Sequence, residues 1–246
     1  GKQVSLTHQG ELFYRYAISL THNLEEIREA MAGTRELTGT LALGTIESIC
    51  SSIIPPILSE YHRRFPQVSV SITIDSPQAL LEMMNENALD IVYFLDKRLY
   101  DQRWIKVLEE PEEIVFAASS AHPFAGRKNL DLEEVAAQPF LLTEKAASYR
   151  SILDSYLASR QKNIRPFLEI GNTDFILQML RDNTGLSLLP LFSIEKDVQR
   201  GALTALDVKD FHMQIWRQIV YHRDKWVTRE MSEFLKLANA GETEEP

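Results

Sequence analysis

The chain has 246 residues, is 44% hydrophobic, and carries 26 Lys and Arg against 35 Asp and Glu, for a formal net charge of −9. That is enough apolar material for a sizeable core in one large or two small domains, while the acidic balance excludes a broad nucleic-acid-binding face, which needs concentrated basic charge. One cysteine, Cys50, excludes an internal disulfide and reads as a small buried hydrophobe of a reducing compartment; with no apolar run of roughly 18 residues and no leader, a cytoplasmic location is expected.

In chain order, Phe13, Tyr16, Leu20, Leu24, Ile27 and Met31 recur at spacings of three and four. They predict a long amphipathic helix whose apolar seam needs a cover, and a second copy of the same helix is the economical one, giving a homodimer or homotetramer. Residues 33–39 read as a linker. A strand then enters a polar turn at Gly44-Thr45, and Ser48 is expected to cap a helix carrying Ile53, Ile54, Ile57, Leu58 and Tyr61. Val68, Val70, Ile72 and Ile74 alternate with hydroxyl residues, the pattern of an edge strand. Ser76-Pro77 opens a helix through Met84, Leu89 to Leu95 reads as a buried central strand, and Trp104 to Leu108 as another before Pro111-Glu112-Glu113 breaks the pattern.

The same theme restarts at Ile114. Strands are expected at Ile114–Ala118, Phe140–Leu142, Phe167–Ile170 and Leu186–Pro190, with helices at Leu130–Ala137, at Tyr149–Arg160 and after an Asn172-Thr173-Asp174 cap, the last ended by Thr184-Gly185. Met213–Tyr221 and Val227–Ala238 supply a last strand and helix. The expected fold is therefore α/β: two doubly wound lobes joined by two crossing segments, near Glu113–Ser119 and Val208–Trp216, behind a long dimerisation helix.

Several stretches, in order, resemble the LysR-type transcriptional regulators: Leu6-Thr-His-Gln-Gly10, Gly39-Thr-Leu-Ala-Leu-Gly-Thr45, Phe65-Pro66, Leu89-Asp90-Ile91, His122-Pro-Phe-Ala125 and Gly185-Leu-Ser-Leu-Leu-Pro190. The resemblance implies a linker helix and a regulatory domain of two α/β lobes similar to periplasmic binding proteins, without the family's N-terminal winged helix-turn-helix. DNA would then be reached only through that missing domain. The divisions are 1–37 for the end of a DNA-binding wing and the linker helix, 38–113 with 214–240 for lobe I, 114–213 for lobe II, and 241–246 as a short disordered acidic tail. Asn87 stands where the family often has Gly, which is tolerable if the turn needs a positive φ.

Helix N-termini after Thr45, Ser76, Thr143 and Asn172 would face the cleft between the lobes. Free N–H groups and short polar side chains there suit a small oxygen-rich anion. By resemblance, effector contacts fall to Thr45, Glu47, Ser48, Ser76, Ser119, Thr143, Asn172 and Thr173, several of which also read as simple helix caps. Arg150 offers a guanidinium for a carboxylate or lies exposed on the surface. Glu47 opposes a purely anionic ligand, so a cationic or hydroxyl group on the effector stays open. No cofactor loop is present, and His8, His22, His62, His122, His212 and His222 lack metal-ligand spacing. The leading reading is the effector-sensing part of a transcription regulator with no enzymatic role; a solute-binding protein for transport is the alternative.

Overall fold

A computed structural model describes residues 37–209 and 211–240, together with Thr7, Gln9, Gly10, Phe13, Tyr14 and Ala17. Gln9, Gly10, Phe13, Tyr14 and Ala17 are helical, and Phe13 is 75% exposed. The other seam positions, Tyr16, Leu20, Leu24, Ile27 and Met31, lie outside the described residues, as does the 241–246 tail.

Strand β1 (Thr38–Thr45) pairs in parallel with β2 (Gln67–Ile74) along its whole length and with β3 (Ile91–Asp96) at Leu43–Thr45. Parallel neighbours need helical crossovers. Helices α1 (Glu47–Ser52) and α2 (Ile54–Arg64) supply the first, and α3 (Pro77–Asn85), capped by Ser76, the second. The helix expected to start at Ser48 is thus two helices. The first is capped at Ile46 without a side-chain bond, and Ser48 lies inside it. Pro55 and Pro56 have no N–H to donate back to the first helix, so it ends and the prolines fall in the opening turn of α2.

Strand β3 is buried on both faces, with Tyr93 and Leu95 in one apolar cluster and Val92 and Phe94 in a second beneath Leu80 and Met84 of α3. On the edge strand β2 the apolar face is covered only near Val68; Ile72 and Ile74 are exposed. Asn87 does take the positive φ, +60°. Cys50 is half-buried rather than fully interior, and burial together with the Glu47 carboxylate pushes its thiol pKa up.

Beyond β3 the sheet continues through two long antiparallel strands. β9 (Met213–His222) pairs with β3 and with β4 (Trp104–Ser119), the latter from Trp104 opposite His222 to Ile114 opposite Met213. The two strands expected around a break at Pro111 are one strand. Pro111 is tolerated because only β9 pairs with β4 at that point, leaving the other edge of the strand without a neighbour for a missing N–H to serve. Farther along, β4 takes β7 (Ser187–Pro190) and then β8 (Leu203–Ala205) as antiparallel partners.

A small parallel pair, β5 (Leu141–Leu142) and β6 (Leu168–Glu169), joins this half through a bridge between Phe140 and Leu186. Its strand order is β6-β5-β7-β4-β8, beside β2-β1-β3-β9-β4 in the other half, so the two α/β halves share β4. Helices α4 (Leu132–Ala136), α5 (Ser148–Ala158), α6 (Thr173–Arg181) and α7 (Leu191–Gln199) belong to the second half. The sequence reading passed over α7 and β8, because α7 begins directly after Pro190 with no capping side chain to mark it. Helix α6 ends at Arg181, with Asn183 at φ +53° and the Thr184 N–H donating to the Met179 carbonyl, so Asn183 and not Gly185 makes the turn. Gly185 serves packing instead: a Cβ there would sit 2.5 Å from the Pro139 carbonyl oxygen. The last helix, α8 (Arg229–Ala240), returns to the first half, where the Tyr61 hydroxyl donates to the Glu230 carbonyl at 3.0 Å and the Tyr61 ring meets Phe234 edge-on.

The β4–β9 ribbon carries a buried charge. Arg217 on β9 lies 2.9 Å from Glu110 and 3.8 Å from Glu112 of β4. Burial pushes the Glu112 carboxyl up to about 7, Arg217 offsetting part of the shift. The folded value lies above the ordinary 4.5, so this group's contribution to stability is complete below that pH and is lost as pH rises through 7. Thermal unfolding of the parent should therefore show a lower Tm at about pH 8 than at about pH 5 relative to Glu112→Gln; parallel profiles for the two proteins would contradict it.

Candidate functional site

A cavity of about 280 Å³ opens where the carboxyl ends of parallel strands from both halves meet. Its walls are Ile46, Glu47 and Ser48 at the start of α1; Ile74, Asp75, Ser76 and Pro77 between β2 and α3; Thr143, Glu144 and Ala146 to Tyr149 between β5 and the first turn of α5; and Gly171 after β6. The position follows from topology. In a parallel sheet each strand end delivers the chain to a helix N-terminus on the same side, so N–H groups and short polar side chains gather there.

Of the residues singled out from sequence, Glu47, Ser48, Ser76 and Thr143 line the cavity, while Thr45, Ser119, Arg150, Asn172 and Thr173 do not. Thr45 is buried and donates to the Tyr93 carbonyl at 2.8 Å. The Ser119 hydroxyl accepts from the Ala121 N–H in the turn after β4. Asn172 caps α6, accepting from the Phe175 N–H at 2.7 Å. Thr173 is buried and its hydroxyl is without a partner, but its backbone N–H donates to Glu47 Oε1 at 3.1 Å, a bond that ties the start of α1 in one half to the start of α6 in the other.

Ser48 is 2% exposed and lines the cavity, yet its hydroxyl has no hydrogen-bond partner. The buried Tyr149 phenol lies beside it and beside Thr143. Burial raises the phenol pKa, and those two hydroxyls act against the rise without Ser48 reaching hydrogen-bond geometry. Asp75, Glu144, Tyr149 and Gly171 were missed from sequence. Asp75 adjoins the Ser76-Pro77 signal and Glu144 adjoins Thr143, so adjacency to a strand end was the usable clue. Gly171 had none; a Cβ at 171 would lie 2.7 Å from Glu144 Oε2, the movable end of a side chain.

The family model of the LysR substrate binding domain matches residues 34–241. The chain belongs to that family. Among curated relatives, the HTH-type transcriptional regulator YwqM of Bacillus subtilis (strain 168) is 31% identical over 241 residues, covering 96% of this chain and 80% of that protein. The HTH-type transcriptional activator CmpR of Synechocystis is 28% identical, covering 96% and 77%. The regulatory domain of Synechocystis PCC6803 CcmR, solved in complex with 2-PG, superposes with a TM-score of 0.68 at 22% identity, covering 85% of this chain and all of that one. The two-lobed α/β fold expected from sequence is thus a LysR effector-binding fold, and the relatives are transcription regulators rather than transport proteins. No helix among the described residues is long and apolar enough to cross a membrane.

In this LysR domain Arg150 is neither a surface arginine nor a cavity ligand. It is 4% exposed, with Nη1 donating to the Thr143 carbonyl at 2.8 Å and to Glu169 at 3.3 Å, and Nε reaching both oxygens of Asp154 at 3.1 Å. It fixes the β5–α5 loop that forms one cavity wall. Replacing it with Met keeps the volume but strands the Thr143 carbonyl and two partly exposed carboxylates. Arg150→Met should lower the unfolding free energy by about 1–3 kcal/mol in urea titration. An unchanged midpoint would show that the loop holds without it.

Proposed function

We propose that this chain senses a small metabolite in the cavity between lobe I (38–113 with 214–240) and lobe II (114–213), and that binding alters how copies of the chain associate. The role is regulation in the cytoplasm, not turnover. The matched family and the regulator relatives support it, as does the small molecule solved with the CcmR domain. The carrying observation is Ser48, a cavity-lining residue whose buried hydroxyl makes no hydrogen bond of good geometry, with only the Tyr149 phenol near it. An orphaned buried hydroxyl costs about 1–3 kcal/mol, which a ligand recovers by pairing with it.

The Glu47–Thr173 bond gives the ligand something to act on. A metabolite that favours one lobe arrangement over the other shifts their populations by its difference in affinity, and one that binds both equally shifts nothing. Glu47 lines the cavity and also bridges the halves, so a ligand that meets its carboxylate competes with or reinforces the bridge. The seam of Phe13, Tyr16, Leu20, Leu24, Ile27 and Met31 is the proposed route from this change to a neighbouring subunit and so to the helix-turn-helix that reads DNA.

Two outcomes test this reading. In a thermal-shift screen of small metabolites, a true effector should lose about 1 kcal/mol of affinity, about fivefold in Kd, in Ser48→Ala, while the ligand-free variant is no less stable than the parent. Hits indifferent both to Ser48→Ala and to Ala146→Trp, which fills the exposed cavity mouth, would move the site elsewhere. Separately, Leu20→Glu with Leu24→Glu should lower the mass found by sedimentation at about micromolar concentration while the lobes keep their Tm; an unchanged mass would remove the helix from the assembly.

A further inference from the structure

The charged residues that line the cavity are all acidic. Glu47, Asp75 and Glu144 all line it, and no Lys, Arg or His does. Lys145, between two lining residues, is exposed and outside the wall. Arg150, the buried guanidinium behind the same loop, is committed to Asp154, Glu169 and the Thr143 carbonyl. Glu144 Oε2 is itself buried without a partner, as is the Ser48 hydroxyl.

Some of the N–H groups that would draw an anion are taken by the protein's own oxygens. Asp75 Oδ1 accepts from the Ser76 N–H at 2.6 Å, Ser76 Oγ from the Ala79 N–H at 3.4 Å, and Glu47 Oε1 from the Thr173 N–H at 3.1 Å. Three carboxylates line about 280 Å³ of space. Helices α1 and α5 remain without a side-chain cap, since Ile46 and Ala147 make no such bond. A carboxylate-lined cavity of this kind repels a polyanion and attracts a cation by the same physics.

We propose that the ligand of this cavity carries a cationic nitrogen, an ammonium or guanidinium, held by Glu47, Asp75 and Glu144, with the open first turn of α5 free to accept an oxygen of the same molecule. This rests on the effector-site reading above and adds the chemical class. It departs from the oxygen-rich anion suggested by the sequence because that expectation weighed helix N-termini above the carboxylates beside them. Ser76 caps one of those starts, and Glu47, Asp75 and Glu144 set the sign of the wall.

The test uses agmatine and L-arginine as cationic probes, and citrate and 2-PG as anionic ones, in thermal-shift and calorimetric titrations of the parent, of Asp75→Asn with Glu144→Gln, and of Ala146→Trp. At about 10 mM the cationic probes should raise the parent Tm by about 2–4 °C or more, the rise should vanish in both variants, and the anions should give none. The double substitution is isosteric and relieves repulsion, so its own Tm should not fall. Anion binding abolished by Ala146→Trp would overturn the charge assignment while leaving the effector site in place. No rise with either cationic probe, or a rise that persists in the double variant, would also overturn it. A site unresponsive to every probe and to the metabolite screen alike would instead remove the effector reading itself.

Discussion

The pairing of β4 with β9 is the constraint on which the remainder depends. Backbone N–H and C=O groups in a buried sheet must find partners, and here one antiparallel ribbon supplies them continuously from Trp104 to Ile114 against Met213 to His222, with one irregularity between Lys106 and Leu108. On one side β9 continues into β3 and β1; at the other end β4 continues into β7 and β8. The two halves are therefore joined by shared strands. Their relative angle is set by the twist and bend of a two-stranded ribbon, a softer element than a broad sheet. Glu112 and Arg217 lie on that ribbon 3.8 Å apart, with the Glu112 carboxyl pushed up by burial.

From this ribbon the cavity follows. Parallel strands β1 and β2 on one side and β5 and β6 on the other all end toward the same gap, so the starts of α1, α3 and α5 line it and Gly171, just before α6, completes the wall. The protein meets part of this accumulation of N–H groups with its own oxygens, leaving α1 and α5 without a side-chain cap. Asn172 and Ser76 cap their helices, Asp75 takes the N–H before α3, and Glu47 reaches across to α6. One carboxylate thus does two things: it satisfies a helix in the opposite half, and it lends its charge to the cavity wall. A sensor in which the same group spans the halves and meets the ligand couples occupancy to geometry without a relay between distant sites.

Local rules made much of this legible. The alternation from Val68 to Ile74, the apolar run into Leu95, the Ser76-Pro77 and Asn172 caps and the positive-φ need at Asn87 are properties of a few adjacent residues, and each is realised in the fold. The ordered set of short stretches that resembles LysR regulators gave the family, because together they mark strand ends and turns over the whole chain. Readings that treated a residue without its distant neighbours failed more often. Pro111 looked like a break because proline is barred from central strands, and only the sheet order shows that its other edge is free there.

At the cavity the same division holds. The sequence by itself determined which residues stand at strand ends and helix starts, hence that Glu47, Ser48, Ser76 and Thr143 would gather at one gap, because capping and periodicity are short-range. It could not determine that Arg150 turns inward to a carbonyl seven residues away and to Glu169, that Thr45 bonds Tyr93, or that Glu47 already fills the start of α6. Those facts depend on which strands become neighbours. Only the tertiary structure decided the sign of the charge facing the cavity, since a carboxylate's effect is set by the groups that surround it in space rather than along the chain.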